Sequence, residues 1–130
     1  MGFSIDRIDH VVINCRDLEA TAAWYERVLG MARQSFAGGR VALAFGRQKL
    51  NLRPTGAENW ETGRVDAPGS LDICFIAEAK PEDVAAHLKS VGVAITEGPV
   101  TKTGALGPMT SVYCRDPDGN LVEIASYPKR

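Results

Sequence analysis

The sequence predicts an α+β fold made of two tandem βαβββ units. Two observations carry that prediction. Short β-branched runs and one helical run follow the order strand, helix, three strands, and the order then repeats. The halves also align without a gap through their first strand and helix. His10 falls on Asp72 and the helix-ending Gly30 on Gly92, one offset of 72 − 10 = 92 − 30 = 62 residues. Each half is too small to bury its own core alone. The expectation is therefore a single domain over residues 1–130, with a first unit over about 5–56 and a second over about 69–128. Two four-stranded sheets, each with one helix on its outer face, would curve around a cleft.

Ile8–Ile13 is β-branched and reads as the first strand. Asp17 is placed to cap a helix over Leu18–Leu29, whose apolar residues Leu18, Ala22, Tyr25 and Leu29 recur at helical spacing, and Gly30 stops it. Strands at Ala32–Phe36, Arg40–Phe45 and Lys49–Arg53 follow, with Gly38-Gly39 and Gly46-Arg47-Gln48 as turns. Pro54–Ser70 lacks periodicity and reads as a linker in which Trp60 is a possible anchor. The pattern restarts with a strand at Ser70–Ile76. Pro81 opens a helix followed by Glu82 and Asp83, which suit its positive end, and Val84, Leu88 and Val91 form its apolar stripe before Gly92. Strands are expected at Ala94–Glu97, Thr110–Arg115 and Leu121–Tyr127, the last two joined by the turn Asp116-Pro117-Asp118-Gly119. The glycine-rich segment Thr101–Thr110 reads as either a loop over the cleft, with Leu106 and Met109 as apolar contacts, or a plain hairpin loop.

Composition narrows the function classes. A formal net charge of −1 provides no footprint for nucleic acid or an anionic membrane. No apolar run is long enough to span a bilayer, and the start of the chain lacks a basic, then apolar, leader. Cys15, Cys74 and Cys114 are odd in number and lack C-x-x-C spacing, which suggests small buried hydrophobes in a reducing cytoplasm.

Alternation along the strands sorts side chains by face. Leu50 and Leu52, Ile73 and Phe75, Val122 and Ile124 face the helices. His10, Asn51, Asp72 and Glu123 fall on the opposite faces. Each polar residue is costly to bury unless paired, and four together can satisfy one another through a cation. Taken singly, each has a plain structural reading as a hydrogen-bonded, capping or ion-paired residue. Lys49 and Arg53 share the face of Asn51 and are candidate anchors for an anionic substrate, or else rim charges in water. Met109 and Tyr113 are further candidates for substrate contact.

Three segments, Ile8–Ile13, Thr21–Gly30 and Arg115–Glu123, resemble the vicinal oxygen chelate superfamily of glyoxalase I, bleomycin-resistance proteins and extradiol dioxygenases. Gln48–Leu52, Pro68–Ile73 and Gly98–Gly104 look most like its glyoxalase domain-containing protein 5 group. The resemblance implies a divalent metal held by residues at the positions of His10, Asn51, Asp72 and Glu123. Asp72 stands where the family usually has histidine, and Asn51 where it often has Glu or Gln. That set is oxygen-rich, which favours harder ions such as Mn²⁺ or Mg²⁺ while leaving Fe, Ni and Zn possible. The function implied is a metal-dependent lyase, isomerase or conjugating enzyme on a small oxygenated substrate, with Glu123 also moving a proton. A metal-free sequestering protein is the alternative, and a dioxygenase is disfavoured by the missing second histidine. A homodimer is the implied assembly.

Overall fold

The structure is a computed structural model that describes residues 2–129; Met1 and Arg130, the ends of the expected domain, lie outside the described residues. It divides into two compact units, Met1–Ala67 and Pro68–Arg130. Each is a βαβββ unit with a four-stranded mixed sheet and one helix, as the repeat predicts.

The first unit runs β1 (His10–Cys15), α1 (Leu18–Leu29), β2 (Ala32–Phe36), β3 (Arg40–Phe45) and β4 (Gln48–Pro54), in the sheet order β1-β4-β3-β2. Its first and last strands lie side by side and parallel, with His10 opposite Lys49 and Val12 opposite Asn51. The helix forms where its end signals place it. Asp17 Oδ1 accepts from the Ala20 N–H at 3.1 Å, and Gly30 takes the left-handed conformation that ends the helix, with φ 67°. Its buried face is Thr21, Ala22, Trp24, Tyr25 and Val28, one position off the expected stripe at its C-terminal end. On the sheet, Leu43, Leu50 and Leu52 are fully buried and Ile13 nearly so. Burying each such side chain contributes about 1.5–3 kcal/mol.

The second unit runs β5 (Asp72–Ile76), α2 (Pro81–Ser90), β6 (Glu97–Gly104), β7 (Gly107–Arg115) and β8 (Leu121–Ser126), in the order β5-β8-β7-β6. Again the first and last strands are parallel neighbours, with Asp72 opposite Leu121 and Cys74 opposite Glu123. Val84 and Leu88 of α2 and Val112, Cys114 and Val122 of the sheet are buried. The turn before β8 is held from within: Asp116 Oδ1 accepts from the backbone of Asp118 and Asn120, and Asp116 Oδ2 from Asn120 Nδ2 at 2.7 Å. Asn120 Oδ1 in turn accepts from Leu71 N–H at 2.9 Å, which ties the turn to the start of β5.

Five expectations need correction. The strand β1 begins at His10 rather than Ile8; Ile8 is exposed, and its carbonyl accepts from Gln48 Nε2. The helix α2 stops at Ser90, and Val91 is its cap. The strand expected at Ala94–Glu97 begins at Glu97 and continues to Gly104. Thr101–Thr110 is accordingly no long loop. Thr101 pairs with Thr110, Lys102 with Met109 and Gly104 with Gly107, so the hairpin turns on Ala105-Leu106. Gly98 and Pro99 hid the strand as apparent breakers; Gly98 sits at a register shift with φ 105°, and the β-branched threonines beyond it keep strict alternation. Finally, Cys74 is exposed, because it points from edge strand β5 to the face opposite α2; Cys15 and Cys114 are buried as expected. Among the described residues no helix is long and apolar enough to cross a membrane.

Candidate functional site

The pairing registers make the expected ligands equivalent in pairs. His10 opens β1 and Asp72 opens β5. Asn51 on β4 pairs with Val12, two residues into β1; Glu123 on β8 pairs with Cys74, two residues into β5. The two units thus present the same pattern on the sheet face away from the helix, a ligand-type residue on the first strand and another on the last.

The equivalent last-strand residues also share an electrostatic oddity. Asn51 is 6% exposed and Glu123 9% exposed, and Asn51 Oδ1 and Glu123 Oε2 are buried oxygens with no hydrogen-bond partner. An orphaned buried acceptor costs about 1–3 kcal/mol, more for a charged group. The two equivalent strands thus carry the same unsatisfied acceptor at the same position.

Around these atoms the units differ. In the first, Asn51 pairs with Ala42 of β3, which offers it no polar group. His10 is half-exposed, with Nδ1 2.9 Å from Asp9 Oδ2. That hydrogen bond is the largest cause holding the Asp9 carboxyl below its ordinary range. With Nδ1 protonated, His10 Nε2 keeps its lone pair for a ligand. Lys49 and Arg53 share the open face but are engaged. Lys49 Nζ lies 3.8 Å from the centre of the Phe36 ring. Arg53 is nearly buried and donates to Asn14 Oδ1, Asp66 Oδ2 and the carbonyls of Trp60 and Ala57. Its guanidinium clasps the segment after β4, helped by Arg40 stacked 4.0 Å over the Trp60 ring, so Trp60 does anchor that segment.

In the second unit Glu123 pairs with Tyr113 of β7 on one side and Cys74 on the other. Desolvation, then the hydrogen bond and charge of Glu123, push the Tyr113 phenol up to about 12. Desolvation and Glu123 likewise raise the Cys74 thiol to about 11. Both therefore stay protonated at neutral pH, Cys74 as a thiol rather than a thiolate and Tyr113 as a hydrogen-bond donor. A cavity of about 440 Å³ opens here, lined by Asp72, Glu97, Lys102, Tyr113, Arg115 and Glu123 among others. Met109 is buried on the same face, with its Sδ beside Gly104, while Leu106 at the hairpin tip is 86% exposed.

Asp72, Tyr113 and Glu123 are thus brought together within the second unit, and His10, Asn51 and Lys49 share one face of the first. Lys102, Arg115 and Glu97 were missed from sequence. For Glu97 and Lys102 the signal is the period-two alternation from Glu97 to Gly104, obscured by Gly98-Pro99; for Arg115 it is the spacing of two from Tyr113 within the expected strand Thr110–Arg115. Among the described residues no group of three His, Cys, Asp or Glu side chains is arranged to hold a metal. Taken unit by unit, the donor types suit a hard divalent cation: a histidine nitrogen and the unpartnered Asn51 Oδ1 in the first, the carboxylates of Asp72 and Glu123, the latter with an unpartnered Oε2, in the second.

Residues 7–124 match the Glyoxalase/Bleomycin resistance protein/Dioxygenase superfamily. The chain is 46% identical over 124 residues to the glyoxalase domain-containing protein RDO1 of Mycosarcoma maydis, a match covering 95% of this chain and 70% of that protein. It is 46% identical over 123 residues to virulence protein STM3117 of Salmonella typhimurium, covering 95% of this chain and 85% of the relative. Among solved structures, the integron cassette protein VCH_CASS1 from the mobile metagenome of V. Cholerae has a TM-score of 0.95 at 44% identity, covering 98% of this chain and all of the other. Two βαβββ units, the matched span and these relatives together show that the chain belongs to the Glyoxalase/Bleomycin resistance protein/Dioxygenase superfamily.

Proposed function

We propose that the protein is a divalent-metal-dependent enzyme of the lyase, isomerase or conjugating type, acting on a small oxygenated substrate. The observation that carries the proposal is the buried, unpartnered Oε2 of Glu123 beside a polar cavity. His10, Asn51, Asp72 and Glu123 are the residues that would hold the cation. When bound, it would supply electrophilic stabilisation of charge developing on a substrate oxygen. The chain does the rest. Glu123 is the group proposed to take or return a proton, Tyr113 stays protonated and donates to the carboxylate or to a substrate oxygen, and Asp9 holds the His10 ring through Nδ1. Within the superfamily we assign the chain to the glyoxalase domain-containing protein 5 group, on Gln48–Leu52, Pro68–Ile73 and Gly98–Gly104, and we propose a homodimer as its assembly.

The test is metal titration of the purified chain with Mn²⁺, Mg²⁺, Zn²⁺, Ni²⁺ and Fe²⁺ in turn. About one equivalent per chain is expected for at least one ion, with affinity falling about 10–100-fold or more in His10→Ala and Glu123→Gln. No binding by any of the ions would sink the enzyme reading. One observation favours a second reading, a metal-free small-molecule binder: no three ligand-type side chains cluster among the described residues. That reading takes over on the same negative result.

A further inference from the structure

We infer that the cavity of the second unit takes a substrate with an anionic head, a carboxylate or phosphonate next to a second oxygen, and that Lys102 and Arg115 hold the head. The inference deepens the function proposed above and rests on it only for placing the second oxygen beside Glu123.

The cavity carries charge of both signs. Asp72 and Glu123 come from β5 and β8, and both cations, Lys102 and Arg115, come from β6 and β7, where Glu97 is the one carboxylate of the lining. Arg115 stands two residues beyond Tyr113 on the same face. Lys102 pairs with Met109, four residues before Tyr113, yet its Nζ reaches to 5.6 Å from the centre of the Tyr113 ring. Its side chain therefore lies along the sheet toward the cavity.

Neither cation is locked. The ion pair of Lys102 Nζ with Glu97 Oε2 spans 3.8 Å, between side chains 40% and 53% exposed. A long, wet pair of this kind is worth about 1 kcal/mol or less, so a ligand anion can replace Glu97. Arg115 donates through Nη1 to the Gly119 carbonyl at 3.2 Å, which leaves the rest of its donor fork for a planar or tetrahedral oxyanion. This contrasts with Arg53, whose guanidinium is used up by the chain itself. Tyr113 and Glu123 line the same cavity, within which the neighbouring hydroxyl or carbonyl of the anion would meet them.

Calorimetric titration with glycolate, hydroxymethylphosphonate and the neutral isostere glycolamide tests this, using the metal-treated chain and Lys102→Met and Arg115→Met. At least one anion should bind about 10-fold or more tighter than glycolamide, and each substitution should remove about 10-fold of that preference, as expected for losing one charge-assisted contact. The preferred anion identifies the head as carboxylate or phosphonate. Equal binding of glycolamide and both anions, or a preference that survives both substitutions, would overturn the inference. Metal content, measured on the same samples, separates the two proposals: metal without anion preference defeats this one alone, and anion preference without metal defeats only the enzyme reading.

Discussion

Tyr113 and Glu123 stand opposite each other across β7 and β8, a phenol against a carboxylate whose second oxygen has no partner. This pairing has a titration signature. The phenol ionises near 12 in the folded chain against an ordinary value of 10.0. A raised folded pKa means the unfolded chain releases the proton first. The contribution to stability is therefore complete below about pH 10 and is lost as pH rises from there towards 12. Alkaline titration followed by tyrosinate absorbance, with Tyr113→Phe as the reference, should show one late phenol that moves back towards 10.0 in Glu123→Gln. An unshifted Tyr113 in the native chain would contradict the contact.

Glu123 itself should be a poor stabiliser. Its buried carboxylate leaves an oxygen unsatisfied, so Glu123→Met should leave the ligand-free protein as stable as before, or more stable by about 1 kcal/mol. Urea denaturation of the chelator-treated variants measures this. A loss of several kcal/mol would mean that the carboxylate is a structural group.

Arg53 is predicted to behave in the opposite way. Arg53→Lys keeps the charge but cannot reach Asn14, Asp66 and two carbonyls at once. We expect a loss of about 2–4 kcal/mol, with buried acceptors left unpaired. Fluorescence of Trp60 should shift to the red as the segment after β4 loosens, and an unshifted spectrum with unchanged stability would count against the clasp.

Gly69 precedes β5 with φ 84°, and a Cβ there would run into the Asp118 carbonyl oxygen. Gly69→Ala should cost about 2–4 kcal/mol through combined strain and clash. Faster amide exchange confined to β5 and β8 is the expected readout, because the contact joins the start of one to the turn before the other.

The fold was legible because its signals are local. Asp17 and Gly30 bound α1 where the sequence puts it, and the single offset that carries His10 to Asp72 survives as identical topology in both units. The alternation of Leu50 and Leu52 against Asn51 was equally readable, since one buried face fixes the other. What misled was Gly98-Pro99, where breaker residues occupy a bulge inside a strand rather than its end. That one misreading turned β6 into a loop and took Lys102 out of the candidate site. The engagement of Arg53 was unreadable for a different reason. Its acceptors are backbone carbonyls and an aspartate in an aperiodic segment, and no pattern in the residues announces them.

The parallel pairing of β5 with β8 has a consequence during synthesis. Strand β8 is interior to its sheet, yet it is the last strand of the unit to be made. Until it arrives, β5 and β7 each present a bare hydrogen-bonding edge to an empty slot one strand wide. The strand that fills the slot delivers Glu123, so the unit acquires its sheet and its buried carboxylate in one event. A neighbouring nascent chain carries an identical strand. Exchange of this strand between copies is therefore the misassembly that the topology invites.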